Sequence, residues 1–127
     1  MVHKILVADD DADVQEILKL GLTKAGFEVI TASNGEEALQ SISSEEPDLV
    51  VLDVMMTQPD EGFYVAQKIK KSDQPIPIIM LTGVGRATGW DYDADEKMIP
   101  VDVFLNKPVK PETLVEKINE LLQEEVE

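Results

Sequence analysis

The sequence of 127 residues contains no cysteine and few basic residues. Without cysteine the chain can form neither a disulfide framework nor a thiolate metal site, and it suits a reducing compartment. Lys and Arg together number 11 against 26 Asp and Glu, which gives a formal net charge of −15. A surface with this charge repels nucleic acid and anionic membranes, so we expect the chain to bind neither.

Long apolar runs are also missing from the sequence. No run approaches the roughly 20 apolar residues that a transmembrane helix needs. The first segment, Met1–Ala8, leads directly into acidic residues instead of the extended apolar core of a signal peptide. We therefore expect a cytoplasmic protein. Its length fits one domain with one substantial core, and no stretch has the composition of a linker.

The most informative segment is Leu49–Asp53, in which four consecutive aliphatic residues end in a carboxylate. Such a run is typical of a strand that is buried on both faces of a parallel sheet. Ligands of parallel α/β sheets bind beyond the carboxyl ends of the strands. Asp53 is therefore predicted to stand at a binding site.

Apolar segments that favour strands alternate with segments that favour helices. The predicted strands are Ile5–Ala8, Phe27–Ala32, Leu49–Asp53, Ile78–Thr82 and Val101–Leu105. The first helix is predicted from apolar residues at helical spacing that end before Gly26, and the second begins at a capping box of Asn34 with Glu37. The third carries Ala66 and Ile69 on its inward face, and the last begins at Pro111. Residues 54–62 are predicted to form a polar loop before the third helix, and the glycine-rich and acidic segment 83–100 is predicted to hold at most a short helix. This alternation predicts a three-layer α/β sandwich around a five-stranded parallel sheet.

The strands deliver polar groups to one edge of this sheet. These groups are Asp9, Asp10, Asp53, Thr82 and Lys107. Two like charges 4 Å apart repel by roughly 1 kcal/mol in water and about 4 kcal/mol at an effective dielectric constant of 20, so clustered carboxylates call for a cation. Carboxylate oxygens without His or Cys favour Mg²⁺, which commonly binds together with a phosphoryl group. A carboxylate can itself attack phosphorus and form an aspartyl phosphate.

In their order and spacing, these residues resemble the receiver domain of two-component response regulators, in the single-domain form of chemotaxis regulators. The resemblance extends from Lys4 to Leu122. It rests on Asp9-Asp10, Asp53 after Leu-Val-Val-Leu, Thr82-Gly83, Phe104 and Lys107-Pro108. It implies a flavodoxin-like sheet of order 2-1-3-4-5. We expect one receiver domain over residues 1–127, with no output domain in this chain.

The resemblance also implies the acceptor and the metal ligands. Asp53 would accept a phosphoryl group from a sensor histidine kinase or a phosphotransfer protein. Asp10 and Asp53 would bind Mg²⁺ directly, the backbone carbonyl of Met55 would be a third ligand, and Asp9 would act largely through water. No organic cofactor is expected, and neither is turnover of a separate substrate.

Three further residues acquire roles through the same resemblance. Lys107 would pair with a phosphoryl oxygen, and Thr82 would donate a hydrogen bond to another. Phe104 would turn inward behind Thr82 when the domain switches. The switched surface would lie around the fourth helix, the fifth strand and the fifth helix, where an unidentified downstream protein would bind.

The sequence departs from the usual receiver pattern in two places. Thr57 replaces the usual proline, and 25 positions separate Thr82 from Lys107, a few more than usual, with an acidic insertion between them. By the same resemblance, Met55 and Val84 occupy positions that tune autodephosphorylation in receiver domains, and both are apolar. Neither can orient an attacking water, so we expect a long-lived phosphoryl group; rapid loss of label from isolated phosphorylated protein would contradict this hypothesis.

Two other classes of protein, enzymes that form an aspartyl phosphate and flavin-binding electron carriers, are disfavoured by the residues present. A phosphohydrolase or mutase would need a second Asp where Met55 stands, and a flavin carrier would need neutral donors where Asp9, Asp10 and Asp11 stand. The remaining alternative is an unphosphorylated, receiver-like docking module, which would typically have lost Asp53 or Lys107.

Two acidic features have simpler interpretations. Asp11 is better placed to cap a helix than to bind a metal. Asp91, Asp93 and Asp95 imitate the first ligands of a calcium loop, but Glu96 stands where that loop needs glycine. We interpret the second feature as a solvated acidic loop.

Overall fold

The computed structural model of the protein describes residues 3–53, 61–72, 76–82, 102–106 and 109–126. Its strands are β1 (Lys4–Ala8), β2 (Glu28–Ala32), β3 (Leu49–Asp53), β4 (Ile78–Thr82) and β5 (Val103–Asn106). Its helices within these ranges are α1 (Ala12–Lys24), α2 (Gly35–Glu45), α3 (Glu61–Lys70) and α4 (Pro111–Val126). The short helix predicted between β4 and β5 falls outside the described residues.

The five strands form one parallel sheet in the order β2-β1-β3-β4-β5. This order confirms the predicted fold class. All five residues of β3 are buried, as the aliphatic run predicts for a central strand. In register, Val51 of β3 lies between Val7 of β1 and Ile79 of β4.

Two hydrophobic clusters cover the two faces of the sheet, and β3 contributes to both because successive side chains of a strand point to opposite faces. Val50 and Leu52 pack in the cluster that includes residues of α2 and α3. Leu49 and Val51 pack in the cluster that includes residues of α1 and α4. The sheet therefore forms the middle of three layers.

Helix α1 begins and ends with the signals that the sequence predicts. The Asp11 side chain accepts hydrogen bonds from the backbone amides of Asp13 (2.9 Å) and Val14 (3.4 Å), which confirms its capping role. After the helix, Gly26 has a φ of 101°, and the Phe27 amide donates to the Leu22 carbonyl at 3.1 Å. This backward bond is the Schellman arrangement, in which a left-handed residue ends a helix.

Helix α2 is capped as predicted. The Asn34 side chain accepts from the Glu37 amide at 2.8 Å, and the Glu37 side chain accepts from the Ser33 amide at 2.8 Å. The chain leaves the helix through Glu46, whose φ of 50° lies in the left-handed region.

Two element boundaries differ from the predictions. Helix α3 begins at Glu61, so Gly62, which was predicted to belong to the preceding loop, is helical and buried. Strand β5 begins at Val103 rather than Val101. Asp102 is the residue before this strand. Its backbone amide donates a hydrogen bond to the Ile78 carbonyl at 2.9 Å, and its carboxylate accepts one from the Ile78 amide at 2.8 Å. A side chain thus replaces a backbone group at the start of this strand pair.

Helices α1 and α4 approach closely at Gly21. A β-carbon at this position would overlap the ring of Pro111, the first residue of α4. The glycine is therefore explained by packing between the two helices. In the part of the chain that the structure describes, no helix has both the length and the apolar character needed to cross a membrane.

Candidate metal and phosphoacceptor site

The register of the sheet brings Asp9 and Asp53 to the same edge. Ala8 is paired with Leu52, so the residues that follow, Asp9 and Asp53, emerge side by side from neighbouring parallel strands. Asp9 is fully buried, and Asp53 is 5% exposed. Asp10, the next residue of the chain, is exposed to solvent. The site therefore has two buried carboxylates and one that faces water.

The three carboxylates converge. One oxygen from each of Asp9, Asp10 and Asp53 lies within 4.8 Å of the others. The donor set is made of oxygen alone, which matches the preference of a hard divalent cation such as Mg²⁺. These residues thus fit a magnesium ion, both in the type of their donor atoms and in their spacing.

The loop that carries Asp9 and Asp10 is held by short-range hydrogen bonds. The Asp9 amide donates to the Ala32 carbonyl at 3.0 Å, which extends the pairing of β1 with β2 by one residue. The Asp11 amide donates to Oδ1 of Asp9 at 2.9 Å. Because Asp11 also caps α1, the loop is fixed at both of its ends.

Gln15 contributes to the same loop, and the sequence pattern does not single it out. Its side-chain Nε2 donates to the carbonyl oxygen of Asp9 and lies 3.2 Å from both the Ala32 carbonyl oxygen and Ser33 Oγ. Gln15 reaches these groups only because the sheet places the end of β2 beside the first turn of α1. No motif along the chain could reveal that proximity.

The other predicted site residues are only partly described. Thr82 is the last residue of β4 and is paired with Asn106 of β5, and Phe104 is paired with Met80. The backbone of β4 thus ends at the same edge of the sheet as Asp53, which is paired with Leu81. Met55, Gly83, Val84, Lys107 and Pro108 lie outside the described residues.

Comparisons with known proteins agree with this geometry. The family model described as "Response regulator receiver domain" matches residues 5–119. "Probable transcriptional regulator ycf27" of Pyropia yezoensis is 46% identical over 125 residues, which are 95% of this chain and 48% of that protein. The chain therefore spans about half the length of the curated relatives it matches.

Solved structures give the same result. A CheY-like response regulator receiver domain protein from Methanospirillum hungatei has a TM-score of 0.85 and 31% identity, with 98% of this chain and 96% of that chain covered. The chemotaxis response regulator CheY4 of Vibrio cholerae has a TM-score of 0.82 and 27% identity, with 95% and 99% covered. The chain therefore belongs to the response regulator receiver domain family, the phosphoacceptor module of two-component signal transduction.

Proposed function

We propose that Asp53 is the residue that accepts the phosphoryl group. The observation that carries this assignment is the convergence of the Asp9, Asp10 and Asp53 oxygens within 4.8 Å at the carboxyl edge of the sheet. Asp53 ends the central strand and is paired with Leu81 of β4, and the residue before it, Leu52, is paired with strands on both sides. A nucleophile on a rigid strand keeps its position during an in-line attack.

Receiver domains bind Mg²⁺ in an acidic pocket, and the three carboxylates are the residues that would hold the ion in this chain. Asp10 and Asp53 would bind it directly together with the Met55 carbonyl, and Asp9 would act mainly through water. When bound, the ion neutralises negative charge on the phosphoryl oxygens. Asp9 is buried at this site, whereas Asp10 is exposed to solvent.

The transfer begins when a carboxylate oxygen of Asp53 attacks the phosphorus of a phosphohistidine. The new O–P bond forms as the P–N bond of the donor breaks, and the imidazole leaves with its bonding electron pair and takes up a proton. Lys107 would balance charge on one phosphoryl oxygen, and Thr82 would donate a hydrogen bond to another. Hydrolysis later returns Asp53 to a free carboxylate. We propose only this self-catalysed transfer and autodephosphorylation, without turnover of a separate substrate.

The phosphoryl group would act by shifting an equilibrium between two conformations. Thr82 ends β4, and Phe104 lies in the neighbouring strand β5, so a displacement at the end of β4 can be relayed to β5 through the pairing of the two strands. The surface that would change lies around the segment between β4 and β5, strand β5 and helix α4. This surface would bind the downstream protein.

Partners of response regulator receivers include histidine kinases and downstream effectors. For this chain we propose a sensor histidine kinase, or a phosphotransfer protein, as the donor. A net charge of −15 opposes direct contact with DNA. The relative from Pyropia yezoensis is named a transcriptional regulator. We propose that any effect of this domain on transcription is exerted by binding to another protein.

A cytoplasmic location and a single receiver domain over residues 1–127 stay predictions from the sequence.

The assignment of Asp53 is tested by incubating the chain with acetyl phosphate and Mg²⁺ and measuring its intact mass. We expect one phosphoryl adduct that requires Mg²⁺. The variant Asp53→Asn removes the nucleophile at nearly constant volume and should give no adduct. Asp13→Asn is the matched control, since it removes one exposed carboxylate from the first turn of α1.

The outcomes of this experiment are distinct. An adduct on wild type and on Asp13→Asn that is absent from Asp53→Asn supports the proposal. An adduct that persists in Asp53→Asn shows that another residue is the acceptor. Absence of an adduct under all conditions favours the unphosphorylated docking module instead.

A further inference from the structure

The side chain of Gln15 connects three backbone or side-chain groups at the edge of the acidic site. Its Nε2 donates to the Asp9 carbonyl oxygen and lies 3.2 Å from the Ala32 carbonyl oxygen. Ser33 Oγ also lies at 3.2 Å. Gln15 itself is half-buried in the first turns of α1. It therefore links the start of α1 to the ends of β1 and β2.

The chemistry of these neighbours fixes the orientation of the amide. Carbonyl oxygens only accept hydrogen bonds, so the group that faces Asp9 and Ala32 must be the NH₂ end of Gln15. The Ala32 carbonyl also accepts from the Asp9 amide at 3.0 Å, so both of its lone pairs have donors. The carbonyls of Asp9 and Ala32 are thereby tied together through one side chain.

The bond to the Asp9 carbonyl has a consequence for the next residue. The peptide group that contains this oxygen also contains the nitrogen of Asp10, and its atoms lie in one plane. Fixing the carbonyl oxygen therefore fixes the direction in which the Asp10 backbone continues. Asp10 is exposed, so burial does not orient its carboxylate as it does for Asp9.

We propose that Gln15 is a positioning residue for the divalent-cation site: it holds the Asp9–Asp10 peptide so that the exposed Asp10 carboxylate is already directed toward the cation. This inference rests on the proposed function, because it assumes that Asp10 binds Mg²⁺. Groups that orient metal ligands without touching the metal typically change metal affinity by about 10- to 100-fold when they are removed.

The same contact connects the metal loop with the loop after β2. Gln15 contacts the hydroxyl group of Ser33. The backbone amide of Ser33 donates a hydrogen bond to the carboxylate of Glu37 at 2.8 Å. The Glu37 amide in turn donates to the capping side chain of Asn34. The β1–α1 and β2–α2 loops thus form one hydrogen-bonded unit, and Gln15 is the side chain that joins them.

The test compares Mg²⁺ affinity with folding stability in the unphosphorylated protein. Gln15→Met keeps the length of the side chain and removes its donors. Gln40→Met is the matched control, since Gln40 is an exposed glutamine of α2. We measure the Kd for Mg²⁺ by isothermal titration calorimetry and the melting temperature without Mg²⁺ by circular dichroism. Gln15→Met should raise the Kd about tenfold, whereas Gln40→Met should leave it unchanged.

A purely structural role for Gln15 would give a different pattern. It would lower the melting temperature of Gln15→Met but leave the Kd for Mg²⁺ equal to that of Gln40→Met, which would overturn the inference. If the wild-type protein bound no Mg²⁺, the proposed metal site itself would be wrong. The two failures are therefore distinguishable.

A second measurement uses only the wild-type protein, so it does not depend on a variant that folds. Side-chain amide signals in ¹⁵N NMR spectra report on each glutamine separately. The Gln15 NH₂ signals should be protected from hydrogen exchange and should shift when Mg²⁺ is added, unlike those of Gln40. Gln15 NH₂ signals that exchange rapidly with solvent and do not shift when Mg²⁺ is added would contradict the inference.

Discussion

The two edges of the sheet use charged side chains in opposite ways. At the amino edge, Lys4 Nζ lies 3.3 Å from Glu45 and 3.9 Å from Glu28, and Lys70 Nζ lies 3.1 Å from Asp102. At the carboxyl edge, three aspartates converge within 4.8 Å. Among the described residues, charges of opposite sign meet at one edge, whereas three carboxylates are gathered at the other.

Backbone contacts extend this contrast. At the amino edge, Asp48 accepts from the Lys4 amide at 2.7 Å, and Asp102 accepts from the Ile78 amide at 2.8 Å. These carboxylates bind the first amides of strands and thereby stabilise the sheet. Mutual repulsion between the carboxylates of Asp10 and Asp53 would instead favour binding of the proposed cation. The comparison teaches that charged side chains stabilise the sheet at one edge and form the proposed cation site at the other.

The largest stability effect is expected at the amino edge, from Asp102→Ala. This change removes the acceptor of the buried Ile78 amide and the partner of Lys70. We expect the free energy of unfolding to fall by about 2 kcal/mol, measured by urea denaturation. Asp102→Asn is the control: it keeps an acceptor oxygen and should cost less than about 1 kcal/mol. Equal losses in both variants would show that the charge, and not the amide contact, matters.

A smaller effect of opposite sign is expected at the carboxyl edge, from Asp10→Asn. Removing one of three clustered negative charges should raise the free energy of unfolding without Mg²⁺ by up to about 1 kcal/mol. Mg²⁺ should then no longer raise the melting temperature, because a proposed ligand is lost. Asp13→Asn should retain the response to Mg²⁺. A loss of stability in Asp10→Asn would break the contrast between the two edges.

The smallest effect is expected from Lys4→Met, which removes the partner of Glu28 and Glu45. Both pairs are partly exposed, so solvent and salt screen them. We expect a loss of less than about 1 kcal/mol that shrinks further at high ionic strength. Urea denaturation at low and high salt measures it. A loss that is independent of salt would assign the role of Lys4 to the hydrogen bond that its Nζ donates to the Glu45 carbonyl at 3.1 Å.

Much of the fold was predictable from local sequence signals. The aliphatic run of β3, the caps Asp11 and Asn34, and the helix end at Gly26 each act through neighbouring residues, so the sequence reveals them directly. The start of β5 was predicted two residues early. Asp102 pairs with Ile78 through its side chain, and that long-range contact leaves no periodic signal.

The candidate site was predictable to a similar degree. Asp9 and Asp10 follow one predicted strand, Asp53 ends another, and parallel pairing brings the ends of such strands together. The contribution of Gln15 was not predictable, because its partners belong to β1 and to the segment after β2. Glutamine is common on helix surfaces, so its presence in α1 carried no signal.

The sequence by itself determined which segments form strands and helices, because apolar periodicity and capping are local properties. It also determined which side chains stand at the strand ends. Only the tertiary structure decided that Asp9 is buried while Asp10 is exposed, and that Gln15 joins two loops. These features depend on the order and register of the strands, which bring together residues that are distant along the chain.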